Sequence, residues 1–91
     1  MRRTDMLFYP CVCCGYIVIS GEYDICPICR WQHDVVQESE PYDGIGGANE
    51  VTLKQGQENF VRLGACVLHQ VQHARKVTTS DKRDPDWKPL L

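Results

Sequence analysis

The sequence predicts a small α+β fold in which a two-stranded β-hairpin head packs on one amphipathic α-helix, followed by an extended C-terminal tail. Three observations predict it. Cys11 and Cys14 form one CxxC pair, and after eleven intervening residues Cys26 and Cys29 form a second. A stretch after a Gly-rich joint spaces its apolar residues as a helix does. Beyond it, residues 77–91 hold too many breakers to continue any regular element.

In the head, Gly15-Tyr16-Ile17-Val18-Ile19-Ser20 is rich in β-branched and aromatic residues and is closed by Gly21-Glu22, which reads as a strand and turn. Tyr23-Asp24-Ile25 is expected to return as the second strand. Each CxxC then lies on a turn at one end of a hairpin, the arrangement of a zinc ribbon spanning about residues 9–34. Two such turns can each hold two thiolates about 3.8 Å apart, and a tetrahedral Zn²⁺ with Zn–S of about 2.3 Å fits four such ligands. Gly15 suits a left-handed turn after Cys14, and Pro27 stiffens the second turn. The expected cofactor is therefore one structural Zn²⁺ held by Cys11, Cys14, Cys26 and Cys29.

Ninety-one residues make one domain with a thin core, which a bound metal would reinforce. Six cysteines in so short a chain could instead signal disulfides, which need an oxidising compartment. The apolar run of Met6, Leu7, Phe8 and Tyr9 stops at Pro10, too short for the core of a secretion signal despite Arg2 and Arg3 before it. No stretch resembles a spanning helix. The expected setting is thus the reducing cytoplasm, with thiolate ligands rather than disulfides. A net charge of −2 and a pI near 5.8 supply no global attraction to phosphate backbones or anionic lipid.

The joint, about residues 41–50, contains Gly44, Gly46 and Gly47 with Asp43 and Asn49, and should be irregular and on the surface. It lacks the glycine pattern of a phosphate-binding loop. Thr52 to Gln55 fits a capping box, so a helix should begin at Thr52 and run to about Ala74. Leu53, Phe60, Val61, Gly64, Val67, Leu68 and Val71 fall in one stripe that would lie on the head. Past Lys76 the tail is extended, with Trp87 as its anchor.

Among the remaining candidates, Cys13 lies inside the first turn and competes for the metal, yet only the Cys11/Cys14 choice gives a CxxC followed by Gly. Cys66, His69 and His73 have ligand-like helical spacing, but they project opposite the apolar stripe, which favours exposed residues over a second metal site. His33, four residues past Cys29, is a weak replacement ligand. Thiol-redox catalysis lacks the βαβ setting that lowers a thiol pKa in CxxC oxidoreductases. Asp34, Glu38, Glu40 and Asp43 follow Trp31, and this acidic, aromatic stretch is either a solvated face or a partner-binding surface of Trp31, Asp34, Glu38, Tyr42 and Trp87. No Ser/His/Asp arrangement and no pocket-forming framework point to an enzyme. The basic residues Arg62, Arg75, Lys76, Lys82, Arg83 and Lys88 are interleaved with acids, which leaves nucleic acid as an alternative partner.

The string Tyr9-Pro10-Cys11-Val12-Cys13-Cys14-Gly15-Tyr16, followed by Tyr23-Asp24-Ile25-Cys26-Pro27-Ile28-Cys29-Arg30-Trp31, resembles the bacterial cysteine-rich CPCC family. Gly46-Gly47-Ala48-Asn49, Glu58-Asn59-Phe60, Gly64-Ala65-Cys66 and Lys82-Arg83-Asp84-Pro85-Asp86-Trp87 resemble its later motifs. Val12 stands where the family name has proline, Gln57 where arginine is expected, and Gln32-His33 where acids are usual. The resemblance implies a small stand-alone protein, with an immunity or antitoxin role beside a bacterial toxin. The combined expectation is a non-enzymatic zinc-binding module for another protein. A nucleic-acid-associated ribbon and a thiol-redox protein are the alternatives.

Overall fold

The computed structural model describes residues 8–90; Arg2, Arg3, Met6 and Leu7, used above in reading the N-terminus, and Leu91 at the end of the tail lie outside them. Within these bounds the chain is a small α+β fold with a two-stranded antiparallel hairpin, a principal helix and a cluster of four cysteines. Strand β1 (Tyr9–Pro10) pairs with β2 (Ile17–Ile19), Tyr9 opposite Ile19 and Pro10 opposite Ile17, with a bulge between the two pairs. The first CxxC is the loop of this hairpin.

The strand expected at Tyr23-Asp24-Ile25 does not form. Tyr23 sits at φ +63, and Asp24 Oδ2 accepts from the backbone N–H and the hydroxyl of Ser20, so the chain turns there. It then makes a second, smaller excursion in which Tyr23 N–H meets His33 O, His33 N–H meets Asp24 O, and Ile25 bridges Gln32. The single hairpin joining both CxxC pairs is therefore replaced by two short loops, each closed around its own pair.

Asp34 caps α1 (Val35–Glu38), accepting from Val36 N–H and Gln37 N–H. The joint that follows is irregular, as its composition predicts, and a buried amide pair holds it: Gln37 Nε2 donates to the carbonyls of Gly44, Asn49 and Val51, while Gln37 Oε1 accepts from Asn49. Helix α2 (Leu53–Leu63) begins where the capping box predicts, with Thr52 Oγ1 accepting from Gln55 N–H at 3.1 Å.

This helix stops at Leu63, well short of the expected Ala74. Gly64 ends it by adopting φ +86 and returning its N–H to Phe60 O. Past this left-handed cap the chain turns inward. Ala65 and Cys66 are buried, and Cys66 N–H donates to Cys29 O at 2.7 Å, so the second cysteine loop captures the segment that would have extended the helix. A 3₁₀ segment, Leu68–His73, follows.

The stripe expected to face the head is also corrected. Val61 is 83% exposed and Leu68 68%, because the buried face is Leu53, Gly56, Gln57 and Asn59 with Phe60 beside it. Gly56 lets the Trp31 ring approach so closely that a Cβ there would lie 3.2 Å from it. Gln57 donates to Val12 O and accepts from Leu90 N–H, tying the first cysteine loop to the end of the tail. Among its described residues the tail has no helix or strand of its own apart from a bridge between Tyr16 and Arg83. Among the described residues no helix is long and apolar enough to cross a membrane.

Candidate metal centre

The two cysteine loops are built alike. In the first, Gly15 N–H returns to Cys11 O and Cys11 N–H donates to Tyr16 O; in the second, Arg30 N–H returns to Cys26 O and Cys26 N–H donates to Trp31 O. The residue after each second cysteine is left-handed, Gly15 at φ +85 and Arg30 at φ +73. Glycine adopts this conformation without strain and arginine does not, so the sequence signals the first turn more clearly than the second. Arg30 is supported by its Nε donating to Gln70 Oε1 at 3.3 Å.

These loops bring Cys11, Cys14, Cys26 and Cys29 together, all four sulfurs lying within 4.8 Å of one another. Cys11 Sγ is 3.5 Å from Cys29 Sγ, and Cys14 Sγ is 3.7 Å from Cys26 Sγ. The edge of a tetrahedron with metal–sulfur bonds of about 2.3 Å is about 3.8 Å, so these separations suit a cation at the centre. Backbone N–H groups already point at two sulfurs, from Cys29 to Cys26 Sγ at 3.4 Å and from Trp31 to Cys29 Sγ at 3.5 Å.

The electrostatics point the same way. Contacts from Cys11, and then from Cys14 and Cys29, hold the Cys26 thiol far below its ordinary pKa. Cys11 is driven up by Cys14 and Cys26, and Cys29 by burial and then by the surrounding thiols. Burial and mutual contact thus set Cys11 and Cys29 against Cys26. Four thiols at this separation in a dry core can ionise together only if a cation offsets their mutual repulsion. The donor set therefore fits a metal ion.

The remaining sequence candidates are placed as follows. Cys13 is buried outside the four-cysteine group, and a Cβ on Gly56 would lie 3.5 Å from its Sγ. Cys66 is not on an exposed face as expected: it is 3% exposed, and burial pushes its thiol up to about 12. His69 is exposed and pairs with Glu50, and His73 is exposed. Among the described residues the four cysteines are the only group of three or more His, Cys, Asp or Glu that could hold a metal ion, so Cys66, His69 and His73 form no second site. His33 turns to Glu38 at 3.0 Å.

Trp31 is not a surface aromatic. It is fully buried, with Nε1 donating to Glu38 Oε2 at 2.8 Å, and Glu38 also accepts from Asp34 N–H. Asp34 is buried and accepts from Ala48 N–H as well as capping α1, contacts that hold its carboxyl below the usual range. Tyr42 is exposed. Trp87 is half-buried over Gly15, with Nε1 donating to Val12 O at 2.8 Å. Sequence reasoning missed Gln37, Asn49 and Gln57, whose amides bond across the core; buried amides carry no periodic signal by which to find them.

A search of curated proteins finds no match, and neither does a search of solved structures. The family model described as cysteine-rich CPCC matches residues 9–81, which include all four cluster cysteines. The chain belongs to the cysteine-rich CPCC family.

Proposed function

We propose that Cys11, Cys14, Cys26 and Cys29 hold one structural Zn²⁺ and that the chain is a non-enzymatic module that binds another protein. The observation that carries this reading is the enclosure of the four sulfurs, since none of these cysteines is more than 1% exposed. A four-thiolate ion so enclosed has no open position for substrate, and its work is to hold the loops. Activity then belongs to the surface the loops position. Thiol exchange is disfavoured by the same burial, because the attacking thiolate must be reached. Arg75 is engaged with Asp81, and Arg83 with Cys14 O, which leaves the nucleic-acid alternative with less free basic surface.

The partner face we favour lies on α1 and the joint, where Val36 and Ile45 are 73% and 74% exposed and line a shallow groove with Glu40. Glu40, Asp43 and Glu50 are exposed on this segment, and residues 34–50 carry no Lys or Arg, which suits a basic partner with apolar anchors. A bacterial toxin is one such partner, in an immunity role. Elemental analysis of purified chain is expected to give one zinc per chain; zinc-free, folded protein would remove the metal reading. Co-expression with the product of a neighbouring toxin gene tests the partner: binding that Val36→Asp and Ile45→Asp together weaken at least about tenfold supports this face, and failure to bind or protect removes the immunity role.

A further inference from the structure

The two cysteine pairs are enclosed by different means. Cys26 and Cys29 each receive a backbone N–H on sulfur, from Cys29 and Trp31 respectively. The second loop is also held from within the body of the fold, by Cys66 N–H on Cys29 O and by Trp31 seated against Gly56. Among the described residues, no backbone N–H meets the sulfur of Cys11 or Cys14. Each loop also has a tie of the other kind, Gln57 Nε2 donating to Val12 O in the first and Arg75 N–H to Pro27 O in the second, but the first loop is covered mainly by the tail. Asp84 N–H donates to Gly15 O at 2.8 Å, Ile17 N–H to Lys82 O at 2.9 Å, Arg83 Nε to Cys14 O at 2.9 Å, and Trp87 Nε1 to Val12 O at 2.8 Å. The Arg83 guanidinium lies 5.0 Å from the Tyr16 ring and 4.6 Å from the Trp87 ring, and Trp87 rests on Gly15.

We infer that residues 82–87 form a strap over the first cysteine pair, and that local undocking of this strap is the route by which Cys11 and Cys14, ahead of Cys26 and Cys29, are reached. This rests on the metal reading above. Four thiolates around a divalent cation leave a net double negative charge, and Arg83 brings a positive charge to the pair that lacks N–H donors on sulfur. A surface segment held by a few hydrogen bonds opens with far less free energy than the core. Opening it uncovers one pair only. Arg83 and Trp87 are thus positioning residues for the site, acting through the carbonyls of Cys14 and Val12.

The test uses the full chain, first shown to carry one zinc; its absence there would fail the metal reading, separately from the strap. Limiting N-ethylmaleimide is then added, each thiolate sulfur adding across the maleimide double bond while the adjacent carbon takes a proton from water, and the labelled cysteines are mapped by mass. In the unmodified chain Cys11 and Cys14 are expected to be labelled before Cys26 and Cys29. Arg83→Gln and Trp87→Phe are each expected to raise the labelling rate at the first pair about tenfold, with Arg83→Lys recovering part of the protection. Ser39→Ala, which removes only the exposed hydroxyl bond to Val36 O at the end of α1, should leave both the rates and the order unchanged. Labelling of Cys26 and Cys29 first, or equal acceleration of all four by the strap variants, would overturn the inference. The order in the unmodified chain decides the matter even where a variant does not fold.

Discussion

Two glycines of this chain have the same backbone conformation and different neighbours, and the contrast predicts how each tolerates a side chain. Gly15 and Gly64 sit at φ +85 and φ +86. A Cβ on Gly64 would meet nothing within 4 Å, so Gly64→Ala should cost only the left-handed penalty, about 1 kcal/mol. A Cβ on Gly15 would lie 2.7 Å from the Trp87 ring. Gly15→Ala should therefore cost at least about 2 kcal/mol, through strain and displacement of Trp87 together. Thermal unfolding at equal zinc loading checks both, and equal losses would contradict the packing of Trp87 on the first loop. Arg30→Gly should act in the opposite direction, raising stability by about 1 kcal/mol as the strain at φ +73 is relieved, less the bond to Gln70.

At the scale of elements, carboxylates fasten the loops and set a pH dependence. Asp34 accepts from Val36, Gln37 and Ala48 N–H groups, joining α1 to the joint. Asp81 receives two bonds from Arg75 and two from Thr78, closing the tail's first turn. Ala48 N–H is the leading cause of the lowered Asp34 pKa, and Arg75 of the lowered Asp81 pKa. A carboxyl with a folded pKa below its unfolded value of about 3.9 stabilises the fold fully above that value, and the contribution is lost as pH falls through the folded pKa. The difference in melting temperature between the natural chain and Asp34→Asn should thus be constant from pH 7 to about pH 5 and shrink below about pH 4. Comparing the two chains at each pH cancels whatever acid does to the four-cysteine cluster that both share. A difference that grows on acidification would contradict the assignment.

At the scale of the molecule, much of the core is cysteine. Of the eight largest fully buried side chains among the described residues five are cysteines, the others being Trp31, Ile19 and Ile28. So small an apolar complement leaves stability dependent on whatever holds the sulfurs. With zinc removed by a chelator at neutral pH, the near-ultraviolet circular dichroism of Trp31 and Trp87 should be lost in one transition and return when zinc is restored. Retention of both signals in a metal-free chain would show that the fold stands without the ion.

Much of this was legible in the chain itself. The CxxC spacing identified Cys11, Cys14, Cys26 and Cys29, because a turn of fixed length sets how far apart its thiols lie. Thr52 marked the start of α2, because a cap is a contact between near neighbours. These features depend on local geometry, and sequence determines local geometry. Tertiary structure decided the rest. Tyr23-Asp24-Ile25 has strand composition but turns, since its partners are found at Gln32 and His33 rather than in β2. The helix ends at Gly64 rather than near Ala74 because Cys66 is drawn to Cys29 O, and Trp31 is core rather than surface because Gly56 makes room for it. The tail's course over the first cysteine pair was likewise set by hydrogen bonds to Val12, Cys14 and Gly15, between residues far apart in the chain. Such contacts leave no periodic trace in the sequence, since each depends on where the folded backbone brings two distant segments together.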